Sequence, residues 1–288
     1  MAPSARLQAL EEENARLRSR LARFEDPTEP EPDFRIDLLG PARVYRSSSS
    51  PPDEEIAWRL RRARRLLAFL ALAPERRATR DEIVQALWPE SDSLRVRRSL
   101  HPTLHALRSA LGEPRPGLHA LLSLPGGYGL HPGLSWTIDA LEFDRLALAG
   151  RVAQERGDEP AADALWTRAL ALYRGPFLAG DRDLWIEEQR ESFRQRRVVI
   201  LGALGALREG RGDAEGALDL YRLSLAEDGL QEELHMALLR VYAKQGRRDL
   251  VRRHFDRFSR MLAEELGVEP SLSTTLEYHR LMAQTVEG

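Results

Sequence analysis

The sequence predicts a mainly α protein with a small β component: an N-terminal coiled-coil helix, a winged helix-turn-helix domain, then a tetratricopeptide-like α-helical repeat domain. Three observations carry that prediction. Leu7, Leu10, Asn14, Leu17, Leu21 and Phe24 recur three and four residues apart. Residues 34–133 hold short alternating runs, three helical periodicities and a glycine-rich turn between apolar runs. Beyond residue 134, small and aromatic residues repeat in register inside helical stretches.

The chain of 288 residues has room for two domains and an appendage. It is 31% charged and 42% hydrophobic, as expected of a soluble, helix-rich protein. No apolar run approaches the ~18 residues that span a bilayer, and the polar, acidic N-terminus is unlike an export signal. Cysteine is absent, which excludes disulfides and thiolate metal sites and fits the cytoplasm. Net charge is −2, yet residues 34–133 carry 16 arginines against 10 acids while both flanks are acidic. A basic middle segment is the footprint of a nucleic-acid-binding module joined to other parts.

Residues 1–25 read as the coiled-coil helix. With Leu7, Asn14 and Leu21 at position a, Leu10, Leu17 and Phe24 fall at d. The g-to-e pairs Arg6–Glu11, Glu13–Arg18 and Arg20–Glu25 are then all opposite in sign. That is the pattern of a parallel two-stranded homodimer, with Asn14 fixing the register. A single amphipathic helix lying on the body of the protein is the competing reading. Residues 26–33, with three prolines, form an extended linker.

Phe34–Gly40 and Ala42–Tyr45 alternate as strands about Gly40-Pro41, and Ser47–Pro52 is a loop. Arg59–Ala73 is a helix whose first turns hold Arg59, Arg61, Arg62, Arg64 and Arg65, expected to face water rather than phosphate. Thr79-Arg-Asp-Glu82 is a capping box that opens a second helix, stopped by Pro89. In Asp92–Leu111, Val96, Leu100, Leu104, Leu107 and Leu111 form one buried face. The other side collects Arg95, Arg97, Arg98, His101, His105 and Arg108, with no acid between Asp92 and Glu113. An acid-free cationic helix face suits the DNA major groove, where arginine can fork onto guanine or phosphate. A solvated surface is the plainer reading of the same face. Pro102 either kinks this helix or stands in the first turn of one beginning near His101, with the earlier arginines on a loop. Ala120–Leu124, Pro125-Gly-Gly and Tyr128–His131 make a hairpin.

Strands, three helices and a terminal hairpin make a winged helix. The runs Arg65-Leu-Leu-Ala-Phe-Leu-Ala-Leu-Ala-Pro, Thr79–Pro89, Leu104–Gly112 and Pro125–Leu130 resemble the DNA-binding domain of Streptomyces antibiotic regulatory proteins. That resemblance implies a winged helix with the third helix as reader and Tyr128 packed beneath the wing. The wing departs from the family's pattern in carrying Pro125 where a basic residue often stands, so a minor-groove contact is not expected from its tip.

From Gly157, the set Gly157, Ala162, Trp166, Ala169 matches Gly212, Ala217, Tyr221, Ser224 and Gly246, Val251, Phe255, Phe258. Gly212 to Gly246 is one tetratricopeptide period, while the first unit carries an insertion at Tyr173–Trp185. The stretches Leu172–Leu178, Tyr242–Arg247 and Leu262–Ser271 resemble the bacterial transcriptional activator domain, which follows the winged helix in the same family. Domains at 34–133 and 134–288 follow.

No metalloprotease, phosphate-loop or dinucleotide motif occurs, so no enzyme, cofactor or metal site is expected. His101 and His105 stand four apart but lack a third ligand. The expected function is a cytoplasmic, DNA-binding transcription regulator. Its partners are double-stranded promoter DNA, a second copy of the chain and a protein such as RNA polymerase; no membrane is expected. The alternative is a helical-repeat scaffold whose winged helix no longer binds DNA.

Overall fold

The computed structural model describes residues 32–47, 53–89 and 93–284. The heptad seam at 5–25 and residues 26–31 of the linker lie outside them, as do the side chains of Arg95 and Arg97. The described chain is mostly helical with a small β part and falls into two compact units. Unit 1 gathers residues up to Leu148 together with Arg168–Phe193. Unit 2 gathers Ala149–Thr167 and the residues from Arg194 on.

In unit 1, β1 (Phe34–Asp37) pairs antiparallel with β2 (Arg43–Arg46), and Ile36 faces Val44. β3 (Glu54–Glu55) extends β2. Three helices follow: α1 (Arg61–Leu72), α2 (Arg80–Leu87) and α3 (Ser93–Leu111). Between α1 and α2, β4 (Arg77–Thr79) joins the hairpin of β5 (Leu121–Leu124) and β6 (Gly127–Leu130) in the order β4-β6-β5. β7 (Trp136–Ile138) returns parallel to β1, setting Ile138 against Ile36 and stacking Trp136 on Phe34. The expected capping box is formed: Thr79 Oγ1 accepts from the Glu82 N–H while the Glu82 carboxylate accepts from the Thr79 N–H. Neither β4 nor β7 was expected, because each is three residues long and is stabilised by a distant partner.

The helices beyond β7 are α4 (Asp139–Glu155), α5 (Glu159–Leu172), α6 (Leu184–Gly210), α7 (Ala214–Glu227), α8 (Glu232–Lys244), α9 (Arg248–Leu266) and α10 (Leu272–Gln284). The expected insertion is the non-helical run from Tyr173 to Asp183, between α5 and α6. It docks on the end of β1. The N–H groups of Arg174, Leu178 and Ala179 donate to the carbonyls of Leu39, Leu38 and Gly40. Leu178 is held at φ 47°, a left-handed conformation costly for leucine, while Arg190 donates to the carbonyls of Phe177, Leu178 and Asp181. Trp185 meets Phe69 of α1 edge-on at 5.4 Å.

This run corrects one expectation. Arg64 and Arg65 do not simply face water. Arg64 and Arg65 both donate to the Asp181 carboxylate, at 2.8 and 2.9 Å, and Arg65 also reaches Asp183 at 2.9 Å. Asp181 is 1% exposed, so its carboxylate is buried against these two guanidinium groups. In the same run, Arg174 bridges Asp37 at 2.8 Å and Asp139 at 2.6 Å. Asp139 also accepts from the N–H groups of Leu38 and Leu39. Burial pushes its carboxyl up to about 6, against the opposing pull of these donors.

Unit 2 is a helical repeat. Its three turn glycines, Gly157, Gly212 and Gly246, all take left-handed φ, where a side chain would be strained. Inside the units, close helix approach explains a second spacing. A Cβ on Gly150 would lie 2.4 Å from the Trp166 indole, and one on Gly205 2.6 Å from the Tyr221 ring. Both pairs are 16 residues apart, as are Leu239 and Phe255, which share one core with Tyr221 and Tyr242. Gly150 therefore heads the first repeat, a role that its Ala-Gly-Arg surroundings do not announce. Among the described residues no helix is long and apolar enough to cross a membrane.

Candidate nucleic-acid interface

α3 is built to be held from one side. Val96, Leu100, Leu104, Leu107 and Leu111 are all buried, each contributing about 1.5–3 kcal/mol on transfer from water. Pro102 lies inside the continuous helix, so the version in which the helix begins near His101 is corrected. Having no N–H, Pro102 offers nothing to the Arg98 carbonyl one turn back. Thr103, next to it, is buried and donates its hydroxyl to the Ser99 carbonyl at 2.8 Å.

The opposite face brings together four of the expected DNA-binding side chains. Arg98, His101, His105 and Arg108 are exposed, with Pro102 and Ser109 among them. Arg95 and Arg97 belong to the same helix by their backbone. The C-terminal end is capped from β2: Arg46 Nη2 donates to the carbonyls of Ala110 and Leu111 at 3.0 and 2.8 Å. Gly112 follows in a left-handed turn and donates to the Arg108 carbonyl.

The wing is pinned by close backbone contact. A Cβ on Gly127 would fall 2.2 Å from the Ala78 carbonyl oxygen, so only glycine lets β6 lie on β4 there. Arg80 donates its N–H to the Gly126 carbonyl at the turn. Tyr128, half-buried, faces Ser123 on one side and Ala78 on the other. Sequence reasoning missed one link. Arg108 Nη2 donates to Ser123 Oγ of β5 at 2.7 Å, which ties the exposed face of α3 to the hairpin. An arginine near a helix end and a serine before the hairpin turn are visible in the sequence; their meeting is not.

Among the described residues no three potential metal ligands gather. His235 and His254 of unit 2 are in contact, hydrogen-bonded at 2.8 Å and stacked on Phe258 through His235. Burial, with His235, Arg257 and Arg222 beside it, holds His254 down to about 3, so the pair is neutral at physiological pH.

With this geometry in hand, comparison with known proteins is decisive for the second half of the chain. The sequence profile of the bacterial transcriptional activator domain matches residues 138–282. The chain belongs to that family. The activator domain begins at Ile138, so its first helix supplies Asp139 to unit 1. Among curated relatives, the regulatory protein AfsR of Streptomyces coelicolor is 31% identical over 238 residues, covering 82% of this chain and 23% of AfsR. The chain thus spans about a quarter of that relative's length. The transcriptional regulatory protein MoaR1 of Mycobacterium tuberculosis is 26% identical, covering 77% of this chain and 72% of MoaR1. Among solved structures, Mycobacterium tuberculosis EmbR in complex with a low-affinity phosphopeptide superposes with a TM-score of 0.74. It covers 88% of this chain and 66% of that one, at 24% identity, and speaks to the fold alone. The resemblance to Streptomyces antibiotic regulatory proteins therefore extends beyond the activator domain, since the 238 residues aligned with AfsR reach past the stretch that domain matches.

Proposed function

We propose that the chain is a transcription regulator that reads promoter DNA with α3 and contacts other proteins, RNA polymerase among them, through its helical-repeat region. The observation that carries this reading is the exposed, acid-free row of Arg98, His101, His105 and Arg108 on a helix whose other face is buried. Arg95 and Arg97 extend the row by sequence. The names of AfsR and MoaR1 as regulatory proteins support it.

Sequences selected by the intact protein from a random duplex pool supply the probe. Arg98→Ala weakens binding to them by about 1–3 kcal/mol and relaxes the preference at one base if Arg98 reads that base. Equal binding by a folded variant lacking Arg98, His105 and Arg108 together would end the DNA reading.

The heptad seam of Leu7, Leu10, Asn14, Leu17, Leu21 and Phe24 makes the regulator a homodimer in this proposal, on the strength of its complementary g and e charges. Sedimentation of the intact chain at micromolar concentration gives a dimer, and removal of residues 1–25 gives a monomer. A monomeric intact chain contradicts it.

A further inference from the structure

The N-terminal segment joins unit 1 at the C-terminal end of α3, and Asp33 is clamped there. Arg115, four residues beyond α3, forks onto its carboxylate at 2.6 and 2.7 Å. Ser135 donates its N–H and its hydroxyl to the same carboxylate. Ser47 donates its N–H to the Asp33 carbonyl and its hydroxyl to the Pro32 carbonyl. The neighbour of Ser47, Arg46, covers the last carbonyls of α3. What precedes the clamp in the chain is acidic: Glu25, Asp26, Glu29, Glu31 and Asp33, with no base between Arg23 and Arg35. Arg115 takes Asp33, which leaves four carboxylates. What stands beside the clamp is the reverse. α3 exposes Arg98, His101, His105 and Arg108 and carries no acid from Ser93 to Leu111. Glu54 and Glu113 near that end are already engaged, by Arg46 and by the Gly117 N–H.

We infer that residues 25–31 lie along the exposed face of α3 in the free protein, carboxylates against Arg108 and Arg98, and that DNA must displace them. The surface is thus occupied by the chain's own acidic segment before it meets a partner. The competition rests on the DNA reading above; the docking does not. Reach fits the match of charge. A proline-rich segment extends ~3.1 Å per residue, so residues 25–31 can reach roughly 22 Å from the clamp. At ~1.5 Å per residue, Arg108 stands roughly 5 Å and Arg98 roughly 20 Å along the helix from Leu111. Each exposed ion pair is weak, but tethering keeps the segment at an effective concentration on the order of millimolar. Such a cover lowers affinity for a polyanion without blocking it.

The chain has no cysteine, so an introduced pair reports the contact directly. Two variants of the intact protein are used, Glu31→Cys with Ser109→Cys and Glu29→Cys with His105→Cys; Ser109 and His105 are both exposed on α3. Mild oxidation closes a disulfide within one chain, and a mixed-sequence duplex slows its formation. In a third variant, Asp26→Asn, Glu29→Gln and Glu31→Gln are combined while Glu25 of the heptad seam is kept. Its affinity for the same duplex rises about tenfold at low salt, and the gain fades as salt screens the charges. No disulfide from either pair in the free protein overturns the docking, because a gain from the amides would then be long-range repulsion alone. A disulfide that saturating duplex leaves unaffected, or an amide variant of unchanged affinity, overturns the competition. Disulfide formation without duplex binding at low salt upholds the docking and removes the DNA reading.

Discussion

Asp181→Ala destabilises unit 1 by about 3–5 kcal/mol, because it leaves two guanidinium groups half-buried without their shared carboxylate. The loss is expected to exceed that from any surface charge, since Asp181 is almost fully enclosed and Arg64 and Arg65 both converge on it. Urea unfolding followed by tryptophan fluorescence measures it. Trp58, Trp88, Trp136 and Trp185 all lie in unit 1, and only Trp166 lies in unit 2. Placing methionine at both Arg64 and Arg65 in the Asp181→Ala background should recover much of the loss, as buried ion pairs are often replaced by apolar side chains without cost. A loss below about 1 kcal/mol in the single variant would show that water already screens the arginines.

Arg174→Met has a similar effect by the opposite logic, exposing two buried carboxylates to each other. Asp37 and Asp139 share this guanidinium, and among the described residues no other cation is bonded to Asp139. A loss of about 3 kcal/mol at alkaline pH follows. Its pH dependence has a definite sign. Asp139 in the fold lies above the ordinary carboxylate range, at about 6, so the folded state favours its protonated form. The stability this provides is complete in acid and is lost as pH rises through about 6. Removing Arg174 takes away a group that lowers this value, so the loss shifts upward in pH and deepens. The difference between variant and wild type should therefore shrink between about pH 8 and about pH 5. A constant difference across that range would mean that Asp139 stays ionised without Arg174.

What was legible in the sequence was local. The 3.6-residue rhythm of Val96 to Leu111 needed only one helix's own side chains, and the Thr79–Glu82 capping box spans a single turn. Three left-handed glycines and the hairpin at Pro125-Gly126 likewise follow from neighbours in the chain. What escaped was contact at a distance. Arg64 and Asp181 are 117 positions apart, and Arg174 and Asp37 are 137 apart. Nothing in an arginine-rich helical turn distinguishes a guanidinium bound for solvent from one bound for a buried aspartate. Pro102 was ambiguous for a different reason. Helix propensity argues against an interior proline, but five buried aliphatic side chains on one face outweigh its ~3 kcal/mol cost. The cationic face of α3 illustrates both cases: its exposure was foreseeable, whereas the bond from Arg108 to Ser123 depended on where the hairpin returns.

The docking of Tyr173–Asp183 on β1 also sets a timetable for synthesis. A winged helix that ended at residue 133 could close as soon as its hairpin left the ribosome. In this chain the hairpin is complete while Asp37, Arg64 and Arg65 still await Arg174, Asp181 and Asp183. At translation rates of about 5–20 residues per second, the wait is roughly 2–10 s. Residues 149–167 emerge meanwhile and belong to the other unit. Unit 1 thus has unpartnered charges for seconds during synthesis, and the activator domain's own sequence brings the period to a close.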